Sequence, residues 1–156
     1  MRITPSRFAD LTRPLVGLPV SHSWRGFGSA IFLELGALKS TGEGREPRGR
    51  VSVMLQWSWR VESARAIRFG SWSGERRITN GVQSLPGRRV VDVGVTGRLP
   101  ELVIALSDGL WVHSFMTAEG QPEWTVFLPD GGWLHVVRGQ LTHNTQNVGR
   151  RRSSRK

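Results

Sequence analysis

Four histidines, His22, His113, His135 and His143, are the residues best suited to bind a metal or move a proton near neutral pH. His113 and His135 fall inside alternating apolar segments, so adjacent hairpins would bring them together as a metal-binding or acid–base pair. No carboxylate stands at a supporting spacing. The competing expectation is two strand histidines that face solvent or make one hydrogen bond each. Asp108 and Asp130 both precede glycine. At one end of a meander they would form a glycosidase-like pair, but aspartate before glycine also stabilises a turn through its own side chain. Glu34, Glu62 and Asp92 are embedded in apolar strands, where a cross-strand arginine is the simplest partner for each. There is no G-x-S-x-G, no Walker A loop and no G-x-G-x-x-G between a strand and a helix. The chain has no cysteine, hence no disulfide framework, thiolate metal site or cysteine nucleophile. It reads as non-catalytic, with no metal and no cofactor.

Tryptophan is the more unusual feature. Seven are present and tyrosine is absent. Trp57 and Trp59 lie in "VSVMLQWSWRVE", residues 51–62, on the same parity as Val51, Val53, Leu55 and Val61. Strict alternation over such a run predicts one half-buried strand with both indoles in the core. Trp24 and Trp72 have different neighbours, "SHSWRGFG" and "FGSWSGERR", and are the candidates for a working surface. With Arg25, Arg60 on the opposite face of the 51–62 strand, Arg76 and Arg77, they form a candidate set. It suits either base stacking by a single-strand binder or the anchors of a protein interface.

These residues need a scaffold, and the sequence supplies mostly strands. Thr4 as N-cap, Pro5 at the first helical position, and Phe8 and Leu11 on one side predict a helix over 3–12, stopped by Pro14. Strands are predicted near 16–25 and 28–36, joined by a tight turn at Gly26 to Gly28; the second reads as a central strand covered on both faces, with the face carrying Glu34 the more exposed. Residues 39–49 read as a glycine-rich charged loop. After the 51–62 strand and a second run at 64–72, Ile78, Val82 and Leu85 have helical spacing, with Asn80 as N-cap, predicting a short helix at about 79–85. The last third reads as a meander. Its turns are "TGRLPE", Asp108-Gly109 and "PDGG", and its strand residues include Trp111, Trp124 and Trp133. The sum is a mainly β fold of eight to nine short antiparallel strands, as a curved sheet, small barrel or sandwich, with one or two short helices.

The 156 residues suit one domain, expected over 1–141, with 142–156 as a flexible basic tail. The formal charge is +10, and five of the 22 basic residues (Arg150, Arg151, Arg152, Arg155 and Lys156) lie in that tail. The remainder are spread along the chain, and 20 of the 22 are arginine, as GC-rich coding alone would give. The start of the chain lacks the apolar h-region of a secretory signal, and no apolar run is long enough to span a bilayer, so a cytoplasmic protein without membrane contact is expected.

Taken together, "LTRPLVGLPV", "LQWSWRVE", "LPELVIALSDGLWVHSF" and "PEWTVFLPDGGWL" resemble a family of small β-rich bacterial proteins, and are similar in style to the immunity proteins encoded beside toxins. The resemblance spans roughly residues 11–139 and implies a small non-catalytic binder, without assigning any residue a role. The functional expectation is therefore a protein-binding module, of an inhibitor or immunity type. The alternative is a nucleic-acid-binding small β-barrel whose basic tail adds phosphate affinity. A hydrolase or carbohydrate binder would need the acids or His113 and His135 to converge in a cleft.

Overall fold

Thr4 opens the fold: its hydroxyl accepts from the Arg7 amide at 3.1 Å and caps α1, Pro5–Thr12. The helix is short and marginal by itself. It is held by burial of Phe8, whose ring meets Trp124 edge to face at 5.9 Å between centroids. The structure, a computed structural model, describes residues 1–119 and 124–146. Among these residues eleven strands form two antiparallel sheets, and neither closes into a barrel.

The first sheet has six strands in the order β1 (Val20–Arg25), β2 (Ile31–Leu35), β3 (Val51–Leu55), β9 (Trp124–Phe127), β10 (Trp133–Val137) and β11 (Gln140–Asn144). The second has five, in the order β5 (Ile67–Gly70), β4 (Trp59–Glu62), β8 (Leu110–Ser114), β7 (Glu101–Leu106) and β6 (Val90–Thr96). Leu33, Val53 and Leu134 of the first sheet join Val61, Ile104 and Val112 of the second in one buried cluster. A second helix, α2 (Glu75–Gln83), buries Ile78 and Val82 and packs on the two edge strands β1 and β5.

The count exceeds the expected eight or nine strands for identifiable reasons. The 51–62 run is two strands, β3 and β4, one in each sheet. The chain also does not turn loose after Gly139. Arg138 and Gly139 take left-handed φ values of 49° and 74° and form a two-residue turn, after which β11 pairs with β10 as far as Asn144. The last strand therefore runs past the expected boundary at 141. Helix α2 begins at Glu75 and not near 79. Its first turn is entirely polar and carries no apolar periodicity, and its N-cap is Gly74, not Asn80.

Edges are closed by specific devices. Ile3 N–H donates to the Leu141 carbonyl at 3.0 Å and His143 N–H to that of Met1 at 2.9 Å, so the N-terminal residues cover β11. On β5, Arg77 Nε donates to the Arg68 carbonyl at 3.0 Å and Gly70 N–H donates to Ser73 Oγ at 3.0 Å. Backbone groups that would otherwise recruit another strand are thereby occupied.

Strand β2 is central and covered on both faces, as expected, but the face carrying Glu34 is not the more exposed one: Glu34 is fully buried. The 36–50 segment folds back over it: a Cβ on Gly49 would lie 2.5 Å from the Leu35 amide nitrogen, so only glycine permits that approach. The carboxylate accepts from Gly49 N–H at 2.9 Å, from Trp24 Nε1 at 3.2 Å and from the Ser52 hydroxyl, with Arg48 Nη1 at 3.9 Å. Removing it by Glu34→Ala orphans three donors at once. A loss of about 3 kcal/mol is expected in urea unfolding.

Candidate functional site

The site grows from the place where the chain changes sheets. Leu55 ends β3 and Trp59 begins β4, and both are fully buried. Between them Gln56, Trp57 and Ser58 form a bend in which Trp57 has φ 57° and is 57% exposed. This overturns the expectation of a core Trp57. The alternation survives numerically because both sheets face one core, but the turn at 56–58 points its middle residue outward. Neighbouring turns are tied to this corner. Ser29 Oγ donates to the Trp57 carbonyl at 3.0 Å, and buried Trp59 Nε1 donates to the Ser29 carbonyl at 2.7 Å. Ser71 N–H donates to the Trp59 carbonyl at 2.9 Å. These bonds bring three turns together, and from them Phe27, Trp57 and Trp72 project at 101%, 57% and 88% exposure.

Trp72 is therefore at the surface, on the turn between β5 and α2, with Arg76 and Arg77 following it in the exposed first turn of that helix. Arg25 belongs to the same end of the molecule. Its Nη1 donates to Glu75 Oε2 at 2.7 Å and to Thr79 Oγ1 at 3.1 Å, and this contact holds the Glu75 carboxyl below its ordinary range. Trp24 is half-buried on the outer face of the six-stranded sheet. It stacks on Phe32 at 4.0 Å, with the Arg48 guanidinium about 6 Å from both rings. Arg60 lies on the outer face of the other sheet, bonded to Glu62 at 2.8 Å and 5.5 Å from the Phe115 ring. The sequence-derived set thus divides: Arg25, Trp72, Arg76 and Arg77 gather around the β5–α2 turn, while Trp24 and Arg60 face away from each other. Arg150, Arg151, Arg152, Arg155 and Lys156 lie outside the described residues. Phe27 was missed because a lone aromatic in a glycine turn has no periodicity to mark it.

Beside the aromatic corner, α2 and the near end of the five-stranded sheet enclose an open cleft of about 1130 Å³. Arg68, Arg76, Arg77 and Arg88 line it over a floor that includes Phe69 and Leu110. Gly81 makes the floor possible, since a Cβ there would lie 2.6 Å from the Phe69 ring.

The other constellations separate. His113 faces outward from the five-stranded sheet, opposite Arg60 and Val103, while His135 faces outward from the six-stranded sheet, opposite Thr125 and Thr142. They do not converge. Asp108 is paired with Arg88 at 3.1 Å, and Asp130 accepts from Gly132 N–H at 2.8 Å. These turns belong to different sheets, and each aspartate is used locally. Glu62 finds its arginine on its own strand, Glu34 finds Arg48 from the covering loop, and Asp92 has no ion pair among the described residues. Among those residues no group of three His, Asp or Glu side chains is placed to hold a metal, and no helix is long and apolar enough to cross a membrane. No family model, curated protein or solved structure matches the chain.

His135 nevertheless has a measurable consequence. Partial burial and the charged amino group of Met1 lower its pKa from the ordinary 6.5, and its Nε2 bonds the Asn144 amide at 2.9 Å. The folded chain then binds this proton less readily than the unfolded chain, so its contribution to stability falls as the pH drops below about 6.5. Urea midpoints are expected to be lower at pH ~5.5 than at pH ~7.5, with His135→Gln reducing the difference.

Proposed function

We propose that the chain is a non-catalytic protein-binding module, of an inhibitor or immunity type, that docks its partner through Phe27, Trp57 and Trp72. The observation behind this reading is Trp57. A bulky L-residue held at φ 57° costs on the order of 1–2 kcal/mol, and an indole left 57% exposed returns little of that to the core. Asparagine or glycine would serve the turn better. A tryptophan kept there is explained by work done at the surface, where an aromatic anchor gains its energy on desolvation by a partner. Phe27 and Trp72, fixed on turns bonded to the same corner, extend that surface without the ordering cost of a flexible loop. The arginines nearby supply the other residue type enriched at such contacts.

Nucleic-acid binding is the second reading, and the arginine-lined cleft is the feature in its favour. The two are separated by one experiment. Trp57→Asn is expected to raise stability by about 1 kcal/mol in urea unfolding. The same substitution, alone or with Trp72→Ser, is expected to abolish affinity capture of a discrete partner protein from nuclease-treated extracts. Capture that disappears on nuclease digestion overturns the protein reading, as does capture unaffected by both substitutions.

A further inference from the structure

We propose that the arginine cleft beside α2 receives an acidic polypeptide segment of the partner. This inference rests on the protein-binding reading and names the chemistry of what is bound.

The first support is unspent charge. Several arginines elsewhere are already engaged: Arg13 with Asp10, Arg25 with Glu75, Arg48 with Glu34 and Arg60 with Glu62. In the cleft, Arg68 and Arg76 have no side-chain partner among the described residues, and Arg77 uses only Nε, on the Arg68 carbonyl. Arg88 bonds Asp108 at 3.1 Å and completes the basic lining. A carboxylate entering the cleft meets the free guanidinium donors of Arg68, Arg76 and Arg77. Guanidinium groups are suited to this task because they grip carboxylates through paired N–H donors.

The second support is the mixed lining, which distinguishes a polypeptide from a nucleic acid. Glu75 and Asp108 also border the cleft, and their carboxylates are acceptors for peptide N–H donors, which a phosphodiester backbone does not carry. Phe69 and Leu110 offer an apolar floor to side chains that a phosphate backbone does not have. The cleft is also contiguous with the aromatic corner, since the turn that carries Trp72 continues through Ser73 to Gly74, which lines it. One partner is thereby able to cover both surfaces.

The test uses poly-L-glutamate and a 20-nucleotide oligothymidylate as probes on the intact chain, followed by isothermal titration and amide NMR shifts. Poly-L-glutamate is expected to bind, to shift the amides of Gly74 to Arg77, and to weaken as salt rises past a screening length of about 10 Å. Arg68→Ala with Arg76→Ala is expected to weaken it at least about tenfold. The charge-matched pair Arg45→Ala with Arg98→Ala, exposed positions outside the cleft, is expected to change it by no more than about twofold. Trp57→Asn is expected to leave poly-L-glutamate binding intact, so loss of the aromatic docking surface and loss of the cleft are read separately. Equal effects of the two arginine pairs, or tighter binding of the oligonucleotide through Arg68 and Arg76, would overturn the proposal.

Discussion

Leu55 and Trp59 are both fully buried, yet they belong to different sheets, and three residues must carry the chain between them. Burial of a large apolar side chain is worth about 1.5–3 kcal/mol, so the two anchors together outweigh the roughly 1–2 kcal/mol of a left-handed residue in the bend. Packing therefore wins, and the strain settles on Trp57. The Trp59 indole, bonded through Nε1 to the Ser29 carbonyl at 2.7 Å, fixes the β1–β2 turn against the same corner. The surface that carries Phe27 and Trp57 is a consequence of how the core is closed.

The same economy runs through the rest of the molecule. Helix α2 covers the open side between β1 and β5, its Arg77 occupies a backbone acceptor on the β5 edge, and its first turn presents Arg76 to the cleft. An element needed to protect two sheet edges also positions the charge. The 36–50 segment does the corresponding work on the other sheet: Gly49 lies against the β2 backbone and Glu34 gathers donors from β1, β3 and the loop. The turns and the helix that close the sheets also carry the exposed aromatic and cationic groups at one end of the protein.

Much of the architecture was legible because it depends on period and turn chemistry. Thr4-Pro5 specified α1. Asp108-Gly109, with φ values of 65° and 68°, gave the hairpin between β7 and β8. Other features depended on tertiary context. Alternation through 51–62 has the same parity whether one strand continues or two strands face a shared core, so the sheet crossing left no mark in the pattern. Arg138-Gly139 is a weaker hairpin signal than Asn-Gly, and β11 was lost with it. Helix α2 hides its start because only Ile78, Val82 and the following Leu85 reach the core. The polar neighbours of Trp72 mark it as a surface indole, whereas the full burial of Glu34 depends on Gly49, which nothing in β2 reveals.

Closing two sheets on one core pushes Trp57 into solvent while Trp59 stays sealed. Incorporating 5-fluorotryptophan and recording 19F spectra in H2O and D2O tests it directly, with single Trp→Phe variants to assign the resonances. Solvent isotope shifts are expected at Trp57 and Trp72, with none at Trp59 and Trp124, in line with exposures of 57%, 88%, 0% and 0%. A Trp57 resonance as insensitive to solvent as that of Trp59 would place both indoles in the core and contradict an outward-facing Trp57.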